Sequence, residues 1–282
     1  MALKLMYITN RVEIAEIALS NGVERIFIDL EIIGKSERQG GMDTVQSKHT
    51  VADVTAMRNA LPSAELLVRC NPIHDATALY GSTEQEIDDI IAAGANVIML
   101  PYFKTVAQVE RFLKAVNGRV RTMLLFETPE SAALAEEIVQ LSGIDEVFIG
   151  LNDMSLGFGM KFMFQLVADG TVERLCRVFR EAGLPYGFGG IAALGKGMLP
   201  AERVIAEHYR LGSTCAILSR SFCNTDIITD LAQVHKIFNE GLTDIRAFEQ
   251  QCADRQISFE ENYKELVRIV KEICESIERK AQ

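Results

Sequence analysis

Eight short apolar runs that alternate with amphipathic segments predict an α/β fold, a closed (β/α)8 barrel of the TIM type. The runs are too uniformly apolar to leave one face in water, which calls for a parallel sheet covered by helices. Their number matches a barrel, and a chain of 282 residues suits one barrel as a single unit. The competing architecture, a doubly wound open sheet, would carry a Gly-rich turn after the first strand, and ITNRVE has no glycine.

Strands are expected at residues 4–9 (KLMYIT), 25–31 (RIFIDLE), 65–71 (ELLVRCN), 96–100 (NVIML), 121–127 (RTMLLFE), 146–150 (EVFIG), 185–189 (PYGFG) and 214–219 (TCAILS). Between them the pattern predicts helices over 11–20, 50–60, 83–93, 105–116, 129–141, 171–183 and 200–210. Many open on Ser, Thr, Asp or Pro, residues that cap or start a helix. No linker rich in Pro, Gly or Ser divides the series, so residues 1–225 read as the barrel and 226–282 as a helical extension of the same domain. The extension is longer than an eighth barrel helix requires and ends in the charged KEICESIERKAQ. It is expected to pack against something else, a neighbouring subunit being one partner.

Composition excludes several classes. Acidic residues exceed basic ones by ten and no Lys/Arg cluster stands out, so the electrostatic footprint of a nucleic-acid binder is missing. The six cysteines (70, 176, 215, 223, 252 and 274) include no CxxC and no Cys/His pair at zinc spacing. With no cleavable leader pattern and no stretch of about 18 uncharged apolar residues, the expectation is a soluble cytoplasmic protein that does not enter a membrane.

In a parallel barrel, reactive groups lie at the C-terminal ends of strands and in the loops that follow. Asp29 and Glu31 end the second run, Arg69 and Asn71 the third and Glu127 the fifth, and Asn152 and Asp153 follow the sixth. All would converge on one mouth. Several carboxylates near one arginine, without zinc-type ligands, point to a hard divalent cation, Mg²⁺ or Mn²⁺. The plain alternative for Glu127 and Asp153 is helix capping, since each precedes a helical segment. Capping does not account for Arg69, whose guanidinium within LLVRCNP needs an anion. Its own plain alternative is an internal salt bridge with Asp29 or Glu31.

Taken in order, FIDLE, LLVRCNP, GANVIMLPYFKTVAQVERF, LLFETPES and FIGLNDMSLGFG resemble the motifs of the HpcH/HpaI aldolase/citrate lyase family, which holds class II pyruvate aldolases and citrate lyase β-subunits. The likeness covers roughly residues 4–222. It implies a barrel of the phosphoenolpyruvate/pyruvate type whose last helix is exchanged between subunits of a homo-oligomer. It further implies Glu127 and Asp153 as metal ligands, Arg69 on the oxo or enolate oxygen, and Asp29 and Glu31 close to metal-bound water. A 2-oxo acid chelating the metal would have its carbonyl polarised, and the metal with Arg69 would stabilise the enolate formed when a carbon–carbon bond breaks. Backbone N–H groups near 153–157 would hold the carboxylate, and no Schiff-base lysine is required.

The sequence departs from that pattern in places. The pyruvate aldolase branch carries a histidine directly after its D-x-E motif, where this chain has Ile32, and a glutamine where it has Leu125. Replacement bases are Lys35, Arg38 and His49 in GKSERQGGMDTVQSKHT, and His74 after the third strand, with His49 preferred. His208 and His235 fall within helical segments and are read as structural. YGFGGIAALGKGMLP sets five glycines, from Gly187 to Gly197, around Lys196. Loops after strands seven and eight of barrels often bind phosphate, so a phosphorylated sugar acid or the phosphates of coenzyme A would fit, with Arg220 in support. A tight turn lining the mouth for an uncharged substrate is the alternative.

The expected function is therefore a metal-dependent carbon–carbon lyase acting on a 4-hydroxy-2-oxo acid, a sugar acid being one candidate. The rivals are an acyl-coenzyme A lyase of the citryl or malyl type and a non-catalytic binding or assembly subunit. The expected site has Arg69, Asp29, Glu31 and His49 as catalytic residues and Glu127 and Asp153 as metal ligands. Arg69, Asn152, Gly189, Gly190 and Lys196 are the expected substrate contacts.

Overall fold

In the computed structural model, which describes residues 2–35, 48–78 and 80–281, eight parallel strands close into a barrel in chain order, the last pairing with the first. They are β1 Lys4–Ile8, β2 Arg25–Asp29, β3 Glu65–Arg69, β4 Val97–Leu100, β5 Arg121–Phe126, β6 Glu146–Ile149, β7 Tyr186–Ile191 and β8 Cys215–Leu218. All eight expected runs are strands. Most stop one or two residues earlier than the apolar pattern, because the polar residues that end each run have already turned into the mouth.

Side-chain alternation sorts each strand into two environments. Ile26, Ile28, Leu66 and Val68 face outward into the large core beneath the helices. Phe27, Leu67, Met99, Met123, Leu125 and Phe148 fill the barrel interior. The same alternation places Arg25 below Phe27 and Asp29 above it on β2, and Glu65 below Leu67 and Arg69 above it on β3. Charge therefore occupies both ends of an apolar interior.

The lower end is closed by an ion network. Arg25 is wholly buried and donates to both carboxylate oxygens of Glu146, at 2.9 and 2.7 Å, and to Glu65 at 3.1 Å. Lys4 reaches Glu65 at 3.2 Å, and Arg121 pairs with both acids. A buried guanidinium is tolerated only with partners of this quality.

Helices cover the outside largely as the pattern predicts. The run expected over 129–141 is two short helices, Pro129–Ala133 and Ala135–Ile138. Two further short helices, Leu151–Gly157 and Gln165–Ala168, follow β6. The tail forms two 23-residue helices, Leu231–Ala253 and Phe259–Ala281. Both pack on this chain's own barrel. Glu249 of the first accepts the Leu3 N–H at 2.7 Å and the Tyr209 hydroxyl at 3.1 Å, and Phe238 meets Tyr7 edge-on at 5.0 Å. Asn262 of the second donates to Glu207 at 3.0 Å and accepts from Arg203 at 3.1 Å, tying it to the helix Ala201–Leu211. No helix among the described residues is long and apolar enough to cross a membrane.

β7 is irregular. Its register against β8 shifts between Gly187 and Gly190, and Gly189 sits at φ +53°, a conformation that favours glycine.

Two outcomes are expected. Glu146→Ala leaves the buried Arg25 with Glu65 as its one remaining carboxylate partner and should lower the unfolding free energy, measured in urea, by about 3 kcal/mol. Burial alone would raise the Glu146 carboxyl, but the Arg25 hydrogen bonds and charge hold it below its ordinary value. A lowered carboxylate contributes stability that is full above the unfolded value and lost as pH falls through the folded one, so the gap between native and Glu146→Gln should narrow below about pH 4. In the bulge, Gly189→Ala combines a positive φ with a Cβ 2.8 Å from Leu151 Cδ1, whereas Gly190→Ala meets Ser219 Cβ at 3.2 Å. Urea unfolding should show a loss of about 1–3 kcal/mol for the first and a smaller one for the second.

Candidate active site

The site starts from one register position. Asp29 and Arg69 are paired across β2 and β3, both on the interior face. Arg69 Nε and Nη2 donate to the two Asp29 oxygens, each at 2.8 Å, a bidentate fork. Nη1 lies 3.3 Å from Glu31, and the guanidinium stands 5.7 Å from the centre of the Phe27 ring. Lys35 Nζ donates to Asp29 at 2.7 Å and approaches Glu31 to 3.7 Å. The internal salt bridge that was the plain alternative for Arg69 is thus present. Burial by itself would raise the Asp29 carboxyl, but Arg69 and Lys35 hold it well below the usual carboxylate range.

Glu127 follows β5, is buried, and accepts the Tyr102 N–H at 2.8 Å. Thr128, not Glu127, caps the next helix, accepting the Ser131 N–H at 3.0 Å, so the capping role expected as an alternative belongs to its neighbour. Burial, then the charges of Glu31 and Asp153, push the Glu127 carboxyl up to about 8 against the pull of Arg69. Asp153 is buried in the first turn of the helix Leu151–Gly157. Gly150, directly before that helix, makes the approach possible: a Cβ there would stand 2.7 Å from Glu127 Cβ and 2.9 Å from its Oε2.

These groups open onto a cavity of about 500 Å³ at the C-terminal mouth of the barrel. Asp29, Lys35, His49, Arg69, Glu127 and Asp153 line it, as do Asn152, Gly189 and Gly190. Glu31 lies buried behind them and reaches the site through Arg69 and Lys35. Glu127 and Asp153 also border a neighbouring hollow of about 430 Å³ with Tyr102, Lys104 and Pro129. Among the described residues, no group of three His, Cys, Asp or Glu side chains is arranged to hold a metal. Glu127 and Asp153 offer two hard oxygen donors, the number that commonly holds Mg²⁺ when substrate and water complete its shell.

Several expected residues stand elsewhere. Lys196 is exposed and does not line the cavity. Its loop turns back on the helix Ala201–Leu211, with the Gly195 N–H bonded to Glu202 at 2.9 Å and the Lys196 N–H to the Ala193 carbonyl at 2.9 Å. His74 is held at the Pro72 carbonyl, 2.8 Å from its Nδ1, and also does not line the cavity. Asn71 accepts the Ile32 and Ile33 N–H groups, both at 2.9 Å, and so anchors the turn after β2. His208 stacks on Phe188 with ring centres 3.9 Å apart, and burial pushes its imidazole down to about 3, in keeping with a structural role. Arg38 lies outside the described residues.

Sequence reasoning missed the opposite wall. Asn10 and Arg11 after β1, and Asn224, Thr225 and Asp226 after β8, line the cavity beside Arg220, which the sequence did single out. Their one signal was position just beyond a strand end, and none stands in a run that polar patterning would single out.

Comparison with known proteins follows from this geometry. The family model for HpcH/HpaI aldolase/citrate lyase matches residues 5–165, more than half of the chain. No curated protein sequence matches it. Among solved structures, an HpcH/HpaI aldolase from Desulfitobacterium hafniense DCB-2 is similar with a TM-score of 0.57 at 14% identity, over 86% of this chain and 93% of that one. An HpcH/HpaI aldolase/citrate lyase family protein from Burkholderia cenocepacia J2315 gives 0.58 at 15%, over 82% and 94%. A citrate lyase β subunit from M. tuberculosis, complexed with oxaloacetate and magnesium, gives 0.53 at 16%, over 84% and 97%. At such identities these structures speak for the barrel alone. The family match, over motifs that supply Asp29, Arg69, Glu127 and Asp153, makes this chain a member of the HpcH/HpaI aldolase/citrate lyase family and an enzyme of the carbon–carbon lyase type.

Proposed function

We propose that this enzyme is a metal-dependent lyase that cleaves or forms a 4-hydroxy-2-oxo acid by way of a pyruvate-like enolate. The observation that carries the reading is the meeting of Glu127, Asp153 and Arg69 on one cavity. On the wall around Arg69, Asp29, Glu31, Glu127 and Asp153 outnumber Arg69 and Lys35, while Arg11, Arg220 and Asp226 stand on the opposite wall; one divalent cation would offset that local excess. Glu127 and Asp153 would hold Mg²⁺ or Mn²⁺. Such an ion, when bound, polarises a 2-oxo carbonyl and lowers the energy of the enolate.

The chain's own residues set the rest of the chemistry. Arg69 donates to the oxo oxygen as negative charge grows on it, and its contribution depends on being held in place beforehand. Asp29 and Phe27 fix the plane of the guanidinium, and Glu31 and Lys35 fix Asp29 in turn. Asn152 and the bare backbone of Gly189 and Gly190 receive the substrate carboxylate on the far side. The magnesium and oxaloacetate of the M. tuberculosis β subunit support a metal and a 2-oxo acid in this kind of barrel. An acyl-coenzyme A lyase has weaker support, because Lys196, the cation within the segment read as a phosphate site, does not line the cavity, although Gly189, Gly190 and Arg220 do.

Exchange of the pyruvate methyl protons for deuterium, followed by NMR, tests the reading. Exchange should require Mg²⁺ or Mn²⁺ and should slow by about 100-fold or more in Arg69→Ala and in Glu127→Ala. Absence of exchange in the native enzyme with either metal would overturn it and favour thioester substrates.

A further inference from the structure

His49 lines the cavity beside Asp29, and its ring is oriented by an unusual partner. The backbone N–H of Asp29 lies 3.0 Å from His49 Nδ1. A peptide N–H only donates, so Nδ1 must accept, and a neutral ring then carries its hydrogen on Nε2. Protonation at Nδ1 would set two N–H groups against each other and leave the Asp29 amide without its acceptor, a costly loss for a largely buried group. The position also disfavours a cation. His49 immediately precedes Thr50, which caps the helix Val51–Ala60, so the ring sits at the positive end of a helix dipole.

We propose that His49 is a neutral hydrogen-bond donor, its Nε2–H directed at the oxygen on C4 of the substrate, and that it does not serve as the proton-accepting base. The proposal rests on the function proposed above and reverses the role expected for His49 from sequence. In the condensation direction the enolate carbon bonds to the carbonyl carbon, and the carbonyl π pair moves onto oxygen. His49 stabilises that oxygen by hydrogen bonding, water supplies its proton and leaves as hydroxide, and the imidazole keeps its own hydrogen throughout. A neutral imidazole suits this work, since it donates without having to bear charge in either direction of reaction. Burial lowers the basicity of His49, outweighing Asp29, Asp53 and Asp226, which favour its charged form, while Lys35 opposes that form.

The test is ¹⁵N NMR of the full-length enzyme labelled at histidine, with the His49 signals identified by their loss in His49→Gln. Nδ1 should resonate as an unprotonated nitrogen and Nε2 as a protonated one, unchanged between about pH 5 and 8, the range in which an ordinary histidine titrates. With Mg²⁺ present, 4-hydroxy-2-oxopentanoate should shift the Nε2 signal and pyruvate, which lacks the C4 oxygen, should not. Conversion of His49 to imidazolium within that range, a hydrogen on Nδ1, or no difference between the two ligands would overturn the proposal. Failure of the functional reading shows separately, as loss of pyruvate methyl exchange in the same sample while the tautomer stays as assigned.

Discussion

The site hangs on one cross-strand pair. Parallel register sets Asp29 directly opposite Arg69, and alternation turns both into the barrel, where a lone guanidinium would be prohibitively costly. The bidentate fork between them meets that cost and fixes a plane. Three neighbours are then placed from Asp29: its carboxylate accepts from Lys35, its backbone N–H donates to His49, and its Oδ1 accepts the Glu31 N–H at 3.2 Å. One residue thus orients the arginine through its side chain and the histidine through its main chain.

The barrel interior carries opposite electrostatic characters at its two ends. At the lower end, Lys4, Arg25 and Arg121 surround Glu65 and Glu146, so cations are in excess and the network is closed among side chains. Around Arg69 at the mouth, four carboxylates face Arg69 and Lys35, with Arg11, Arg220 and Asp226 on the opposite wall. The apolar band of Phe27, Leu67, Met99 and Phe148 separates the two ends. A cation entering such a molecule is favoured on the Arg69 side of the mouth, where the carboxylates are locally in excess and the cavity admits it. The lower network is closed among side chains and the upper cluster opens onto the cavity, though both use the same residue types at the same strand spacing.

Much of this was legible in the sequence, for physical reasons that differ by element. The strands were readable because both of their faces are buried, which forces long apolar runs. Asp29, Arg69 and Glu127 stood out because each interrupts such a run at its end. Less could be read from the loops. Lys196 looked like a phosphate ligand by composition, yet local hydrogen bonds to Glu202 and Ala193 turn its loop outward. Asn71 carried the same signature as Arg69, but its amide oxygen holds the turn at Ile32 and Ile33 and its amide NH2 donates to Glu86. The tail's amphipathic pattern showed that it must bury a face without showing against what, and Glu249 and Asn262 settle that through contacts more than fifty residues away in sequence. The tautomer of His49 had no sequence signal, since it depends on a backbone N–H twenty residues earlier.

The central claim is that Glu127 and Asp153 form the seat of a divalent ion. Titration of the native enzyme with Mn²⁺, with free ion followed by EPR, addresses it most directly. The account predicts one site, weakened by about 10–100-fold or more in both Glu127→Gln and Asp153→Asn, since each removes an inner oxygen donor. Equal affinity in native and variant proteins, or no binding to the native enzyme, would contradict it.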